Sequence, residues 1–327
     1  MGSIPVASTI PLTAHRMGES VPLICLTRSG VPDTLHRGSA VALDDQGRVL
    51  LAVGDPDTRA YIRSAAKPVQ CIPVITSGAA DAFRLDGHDL AIISGSHRGG
   101  DAQVAQVRSI LARCGLPESL LQSGTGMADN CSGKHAGMLA ACKHLGLPLD
   151  TYTAPDHPHQ RAILRVLNEV CGLVEGEAHI GIDGCSAPIH CFSIRKMALG
   201  FARMSVPERH FKEPAASAIR RITAAMWTAP DGHTGEPLYR NVLPGGTRLI
   251  TKGGGNGVYC AGVLGRGIGF ALKVDDGSTY PLYPVFTELM RRLGVFSDSD
   301  AARIRERVWR RIDNRRGQVV GTIELLL

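Results

Sequence analysis

The 327-residue sequence contains no uninterrupted apolar run of about 18 residues, the length a transmembrane helix needs. Its first twenty residues, MGSIPVASTIPLTAHRMGES, lack a basic start followed by a long apolar stretch. No secretory leader is expected, and the cytoplasm is the default location. Repeats and low-complexity tracts are absent as well. Neither PDGHTGEP nor GGGNG has the glycine spacing of a phosphate loop or a dinucleotide fold opening a helix, which sets nucleotide binding aside. Dense basic tracts are also scarce. Lysine and arginine exceed the acids by 36 to 30, for a net charge of +6, but they are scattered. The one dense run, RIRERVWRRIDNRR, includes acids and has the spacing of a solvated helix face. Neither nucleic acid nor a membrane is an expected partner. A mild positive charge suits a small anionic substrate.

The nine cysteines are odd in number and irregularly spaced, and a chain this long does not need a disulfide framework. Reduced thiols are the expectation, most of them acting as small buried hydrophobes. Cys71, Cys142 and Cys260 lie in apolar contexts that fit this. A hydrophobic content of 44% supplies a substantial core. The chain reads as a single catalytic unit, residues 1–327, with room for two lobes. Strands fall at both chain ends: PLICLTRSG, the hairpin GSAVALDDQGRVLLAVGD, the meander TRLITKGGGNGVYCAGVLGRGIGFALKVDDG, and GQVVGTIELLL. Helices fall between them. SAAKPVQCIPVITSGAADAF is apolar with Pro68 in its first turn. DAQVAQVRSILARCG, GKHAGMLAACKHLG and HPHQRAILRVLNEVCG each close on a glycine. PAASAIRRITAAMWTAP is another helix, and PLYPVFTELMRRLGVF a late one. DLAIISGSH reads as a short buried strand, and AHIGIDGCSAP as a strand running into a turn. The pattern predicts an α+β fold, with a mixed or antiparallel sheet closed by both termini, flanked by helices and carrying a helical insertion.

Several constellations could carry chemistry. Ser64 and Lys67, in SAAK, place a hydroxyl and an amine one helical turn apart. A neutral lysine can take a serine proton, and an apolar helix start favours the neutral form. ISGSHRGG holds Ser94, Ser96 and His97 where an apolar run meets a glycine-rich loop. LITKGGGNG places Lys252 after an apolar strand. Two serines and two lysines could thus form one or two Ser–Lys pairs. Cys131 and Lys134, in NCSGKHAG, and Cys185, in IDGCSAP, form a second group. It can be read as a zinc site, a thiol nucleophile or structural cysteines. Asp183 lies two residues before Cys185, on the same side of a strand. His135 could bond a ligand or a metal. His157 and His159, in APDHPHQ, precede a helix in a proline-rich loop and are expected at the surface.

In this order, RSAAKPVQ, SGSHRGG, DNCSGKHAGMLAAC, GIDGCSAP and TKGGGNGV resemble the Rhizobium etli-type L-asparaginases, the asparaginase II family (class 3). IDNRRGQVVGTI resembles that family's closing segment. The resemblance covers nearly the whole chain, and NCSGKHAGM is its most specific element. It implies a fold like serine β-lactamases and related glutaminases, and hydrolysis of L-asparagine to L-aspartate and ammonia. It implies two Ser–Lys pairs, Ser64 with Lys67 and Ser96 with Lys252, as catalytic residues. It implies a zinc held by Cys131, Lys134 and Cys185, with water completing the shell; because the Ser–Lys pairs already provide a nucleophile and base, the zinc is expected to shape the pocket and not to activate the nucleophile. Asp183 and His135 match pocket-lining positions, and Arg63 could hold a substrate carboxylate. A homodimer is the expected assembly. Gly100 and Asn256 stand where the family commonly has Glu, and Arg98 where it has Ser. Two rival classes remain, a β-lactamase-like or peptidase serine hydrolase and a non-catalytic, zinc-stabilised amino-acid binder.

Overall fold

The computed structural model describes residues 19–230, 232–237, 239–243 and 245–327. Most of the stretch read above as lacking a leader, residues 1–18, and Asp231 of PDGHTGEP lie outside them.

Four strands open the described chain: β1 (Val21–Arg28), β2 (Val31–Asp44), β3 (Val49–Val53) and β4 (Arg59–Tyr61). A helical stretch follows: α1 (Lys67–Thr76), α2 (Ala79–Ala82), α3 (Gly87–Ile93), α4 (Asp101–Arg113), α5 (Ser132–His144) and α6 (Pro158–Cys171). Strands β5 (His179–Ile182) and β6 (Pro188–Ser193) then lead into α7 (Ile194–Met204) and α8 (Ala215–Thr228). The meander is β7 (Leu249–Gly253), β8 (Val258–Val263) and β9 (Ile268–Val274). Helices α9 (Leu282–Arg292) and α10 (Asp298–Val308) follow, then the short strands β10 (Ile312–Asp313), β11 (Val319–Gly321) and β12 (Ile323–Leu325).

The main sheet has seven strands in the order β12-β1-β2-β9-β8-β7, with β3 also on β2, and its pairs are antiparallel. The C-terminal strand therefore closes the edge beside β1, Ile24 opposite Leu325. Strand β2 explains how the sheet is held. Side chains alternate between faces with period two. Val41 and Leu43 enter a core shared with helices α1 and α3 to α8, while Ala40 and Ala42 enter a second core with α9 and α10. Both faces are covered along the second half of β2, and Ala40 to Leu43 read as a continuous apolar run. The architecture is α+β, as expected.

Two sequence expectations need correction. DLAIISGSH is not a strand. Leu90 to Ile93 belong to α3, started by a capping box in which Asp86 and Asp89 bond each other's backbone amides. A short apolar run buried on every side has no period to distinguish strand from helix, and the cap decides it. His157 and His159 are not at the surface but buried at 4% and 1% exposure. His157 is the N-cap of α6, its Nδ1 accepting from the His159 amide at 3.1 Å. This draws both rings inward.

Candidate active site

Helix α1 is buried from Lys67 to Ile75, so its first residue carries an amine into the interior. The single-turn segment before it begins with Arg63 at φ +52°, a left-handed conformation that costs a non-glycine residue about 1–2 kcal/mol. This bend sets Arg63 and Ser64 on the wall of a cleft of about 580 Å³. Lys67 Nζ donates to Ser96 Oγ at 2.8 Å and to the Asn130 carbonyl at 3.0 Å. Burial pulls its amine down to about 8, opposed by Cys131 and aided by Lys252 and Lys134. Ser64 and Ser96 both line the cleft. The amine of Lys67 thus bonds Ser96, while Ser64 sits one helical turn away along the chain.

Lys252, at the end of β7, does not bond Ser96 among the described residues. Its Nζ donates to Glu236 Oε1 at 3.2 Å and to the Gly253 carbonyl at 2.8 Å. The same carboxylate oxygen accepts from the Gly253 amide at 2.6 Å. Both side chains of this ion pair are buried, at 1% and 6% exposure. Glu236 is the residue that sequence reasoning missed. In the sequence its Gly-Glu-Pro setting reads only as a loop without phosphate-binding spacing. A glutamate in a turn carries no signal until the fold sets it beside a lysine.

Cys131, Lys134 and Cys185 lie together. Helix α5 is buried from Ser132 to Cys142 and presses against α3. Gly133 and Gly137 allow this, since a Cβ on Gly133 would stand 2.4 Å from the Ile92 carbonyl oxygen and one on Gly137 2.7 Å from Ile93 Cγ2. The contact seats the start of α5 next to the β5–β6 turn, and Lys134 Nζ donates to Cys185 Sγ at 3.0 Å. The hydrogen bond between the two thiols, against burial and with help from Lys67 and Lys134, pulls Cys131 down. The same bond, together with burial, pushes Cys185 up. Burial alone would discharge Lys134, but Cys131, Cys185 and Asp183 outweigh it and hold the ammonium. No group of three His, Cys, Asp or Glu side chains among the described residues could hold a metal, so a metal here would need the lysine. Two thiols and an amine suit zinc chemically, provided Lys134 gives up its proton.

The three expected substrate contacts are placed differently. Arg63 Nη2 pairs with Asp183 Oδ1 at 2.9 Å, and both residues line the cleft. His135 is fully buried behind it, with Nδ1 2.7 Å from the Tyr152 hydroxyl, and is not a cleft-lining residue. Burial holds its ring well below the ordinary histidine range, with Lys134 and Lys67 adding to the effect. His97 supports the Ser96 loop: its Nδ1 accepts from the Gly99 amide at 3.1 Å, which leaves Nε2–H to reach Ser132 Oγ at 2.8 Å. At the cleft wall, Arg98 and Arg310 have no carboxylate partner among the described residues. The wall therefore keeps a positive bias that favours an anionic ligand.

The chain resembles solved structures of low identity. A penicillin-binding protein homologue from Pyrococcus abyssi, described as octameric, is 15% identical over 79% of this chain and 73% of its own, with a TM-score of 0.50. A beta-lactamase from Mycobacterium bovis is 13% identical over 79% and 95%, with a TM-score of 0.45. Mglu in its native form is 12% identical over 80% and 66%, with a TM-score of 0.49. The chain thus spans about two thirds of the Mglu chains it matches, 66% in one and 62% in another. At these identities the likeness concerns the fold alone, and the Pyrococcus abyssi match, at 0.50, agrees with the expected α+β class. No curated protein matches. The model of the family described as L-asparaginase II matches residues 24–325, which takes in every residue of the cleft, and the chain belongs to that family.

Proposed function

We propose that this protein hydrolyses the side-chain amide of L-asparagine to L-aspartate and ammonia, as a Rhizobium etli-type (class 3) asparaginase working through a serine–lysine covalent mechanism. Family membership makes it an amidohydrolase. The observation that carries the finer reading is Lys67, buried and drawn towards its neutral form, 2.8 Å from Ser96 Oγ and one turn from Ser64. Lys67 takes the proton of Ser64 as Ser64 attacks the amide carbon. Ammonia leaves, and water hydrolyses the acyl-enzyme. Ser96 and Lys252 relay protons or polarise the amide. Arg63 and Asp183 orient the amino acid, and His135 supports the wall from behind. Cys131, Lys134 and Cys185 would hold zinc, which shapes the pocket through the Asp183 side and supplies no nucleophile. A cytoplasmic homodimer is the proposed state, with a solution mass near twice 34.8 kDa.

The test is ammonia release measured across asparagine, glutamine and small amides, with and without chelator. Release from asparagine above the other amides is the expected result. Nitrocefin turnover without ammonia release would favour a β-lactamase-like hydrolase. Tight asparagine binding with no release would favour a binder.

A further inference from the structure

We propose that Glu236 is a positioning residue that holds Lys252 in an ion pair and aims it, so that Lys252 supplies the proton that the leaving ammonia needs. The inference rests on the amide-hydrolase reading above. An ammonium has three N–H donors. Two are taken, by Glu236 Oε1 at 3.2 Å and by the Gly253 carbonyl at 2.8 Å. Lys252 lines the cleft, so the third is left for a group bound there. Glu236 Oε1 also accepts from the Gly253 amide. The carboxylate thus grips both the lysine head and the backbone next to it, and the side chain cannot swing. Among the described residues, Glu236 is the counter-ion of Lys252, and both side chains are buried.

The other oxygen, Oε2, makes no hydrogen bond to Lys252. It is buried without a protein partner and belongs to a side chain that also lines a chamber of about 20 Å³, shared with Thr234, Tyr239 and Thr251. That volume has room for one water. Oε1 is thus shared between Lys252 and the Gly253 amide. The two lysines then have opposite duties. Lys67 accepts the serine proton. Lys252 passes its proton to the amide nitrogen as the C–N bond breaks, and ammonia departs. The water that next attacks the acyl-enzyme returns one proton to Lys252, while Lys67 gives its proton back to the departing serine oxygen. Both lysines end as they began.

The experiment compares kcat/KM for asparagine and for an activated aryl β-ester of aspartate, whose phenolate leaves without a proton. Glu236→Gln is expected to lower the amide reaction about 10²-fold, the scale of one acid catalyst, and the ester reaction less than about 3-fold. Glu236→Asp, which keeps the charge, is expected to recover most of the amide rate. An equal fall for both substrates, or no fall for the amide, would overturn the inference. Should Glu236→Gln fail to fold, Lys252→Arg keeps the ion pair but not a transferable proton. It is then expected to lose the amide reaction far more than the ester, and equal losses overturn the proposal. Wild-type protein that hydrolyses neither substrate contradicts the amidohydrolase reading itself, a separate outcome.

Discussion

At the scale of single residues, the site is a set of charges that burial makes costly and neighbours make tolerable. Lys67, Lys134 and Lys252 are all at most 4% exposed. Each is answered differently: Lys67 by an amine pulled down to about 8, Lys134 by thiols, Lys252 by Glu236. The sequence marks Lys67 as costly at an apolar helix start, but not Glu236 as the partner of Lys252, because only the fold brings those two together. The Cys131 group, by contrast, was legible through NCSGKHAG and DGCSAP together. It also yields a prediction. If Cys131, Lys134 and Cys185 hold zinc, Cys131→Ser protein purified without chelator should contain less than about a tenth of the wild-type metal, since one lost ligand in three removes much of the affinity. Metal content unchanged by mass spectrometry would show that the zinc lies elsewhere.

At the scale of elements, most helices and strands follow from period and caps, and the failures are instructive. Helix α3 was misread because Leu90 to Ile93 are buried all round. Helix α7 was not picked out, although it packs on β2, β8 and β9, because it follows β6 directly with only Ser193 as its cap. The hairpin between β2 and β3 was legible, yet the tie that anchors it was not. Asp45, at its turn, accepts from His210 Nε2 at 2.9 Å and Arg209 Nη1 at 3.4 Å, from a segment more than 160 residues away. Burial pushes the Asp45 carboxyl up, but these hydrogen bonds and charges outweigh it and hold it below the ordinary carboxylate range. A depressed folded value means stability that is present above the unfolded titration range and lost as pH falls through the folded one. Asp45→Asn should therefore destabilise by about 1–2 kcal/mol at neutral pH, and the gap to wild type should close in acid. Chemical denaturation at several pH values tests this; a gap that does not shrink in acid contradicts it.

At the scale of the whole molecule, one sheet with both faces covered joins the two chain ends, and the cleft opens where the ends of β7 and α1 meet the helices. The edge strand β12 is short, but Ile323 and Leu325 pack on the second core. Removing residues 322–327 should cost about 3 kcal/mol from lost apolar burial, lower the melting temperature by several degrees, and leave β1 as an open edge prone to association. An unchanged melting temperature would contradict this.

The most direct test of the proposed chemistry is an acid-quenched single turnover with asparagine, followed by peptide mass spectrometry. The predicted result is an aspartyl adduct on Ser64 that disappears in Lys67→Ala. An adduct on Ser96 or Cys131, or ammonia release with no adduct on any residue, would contradict it.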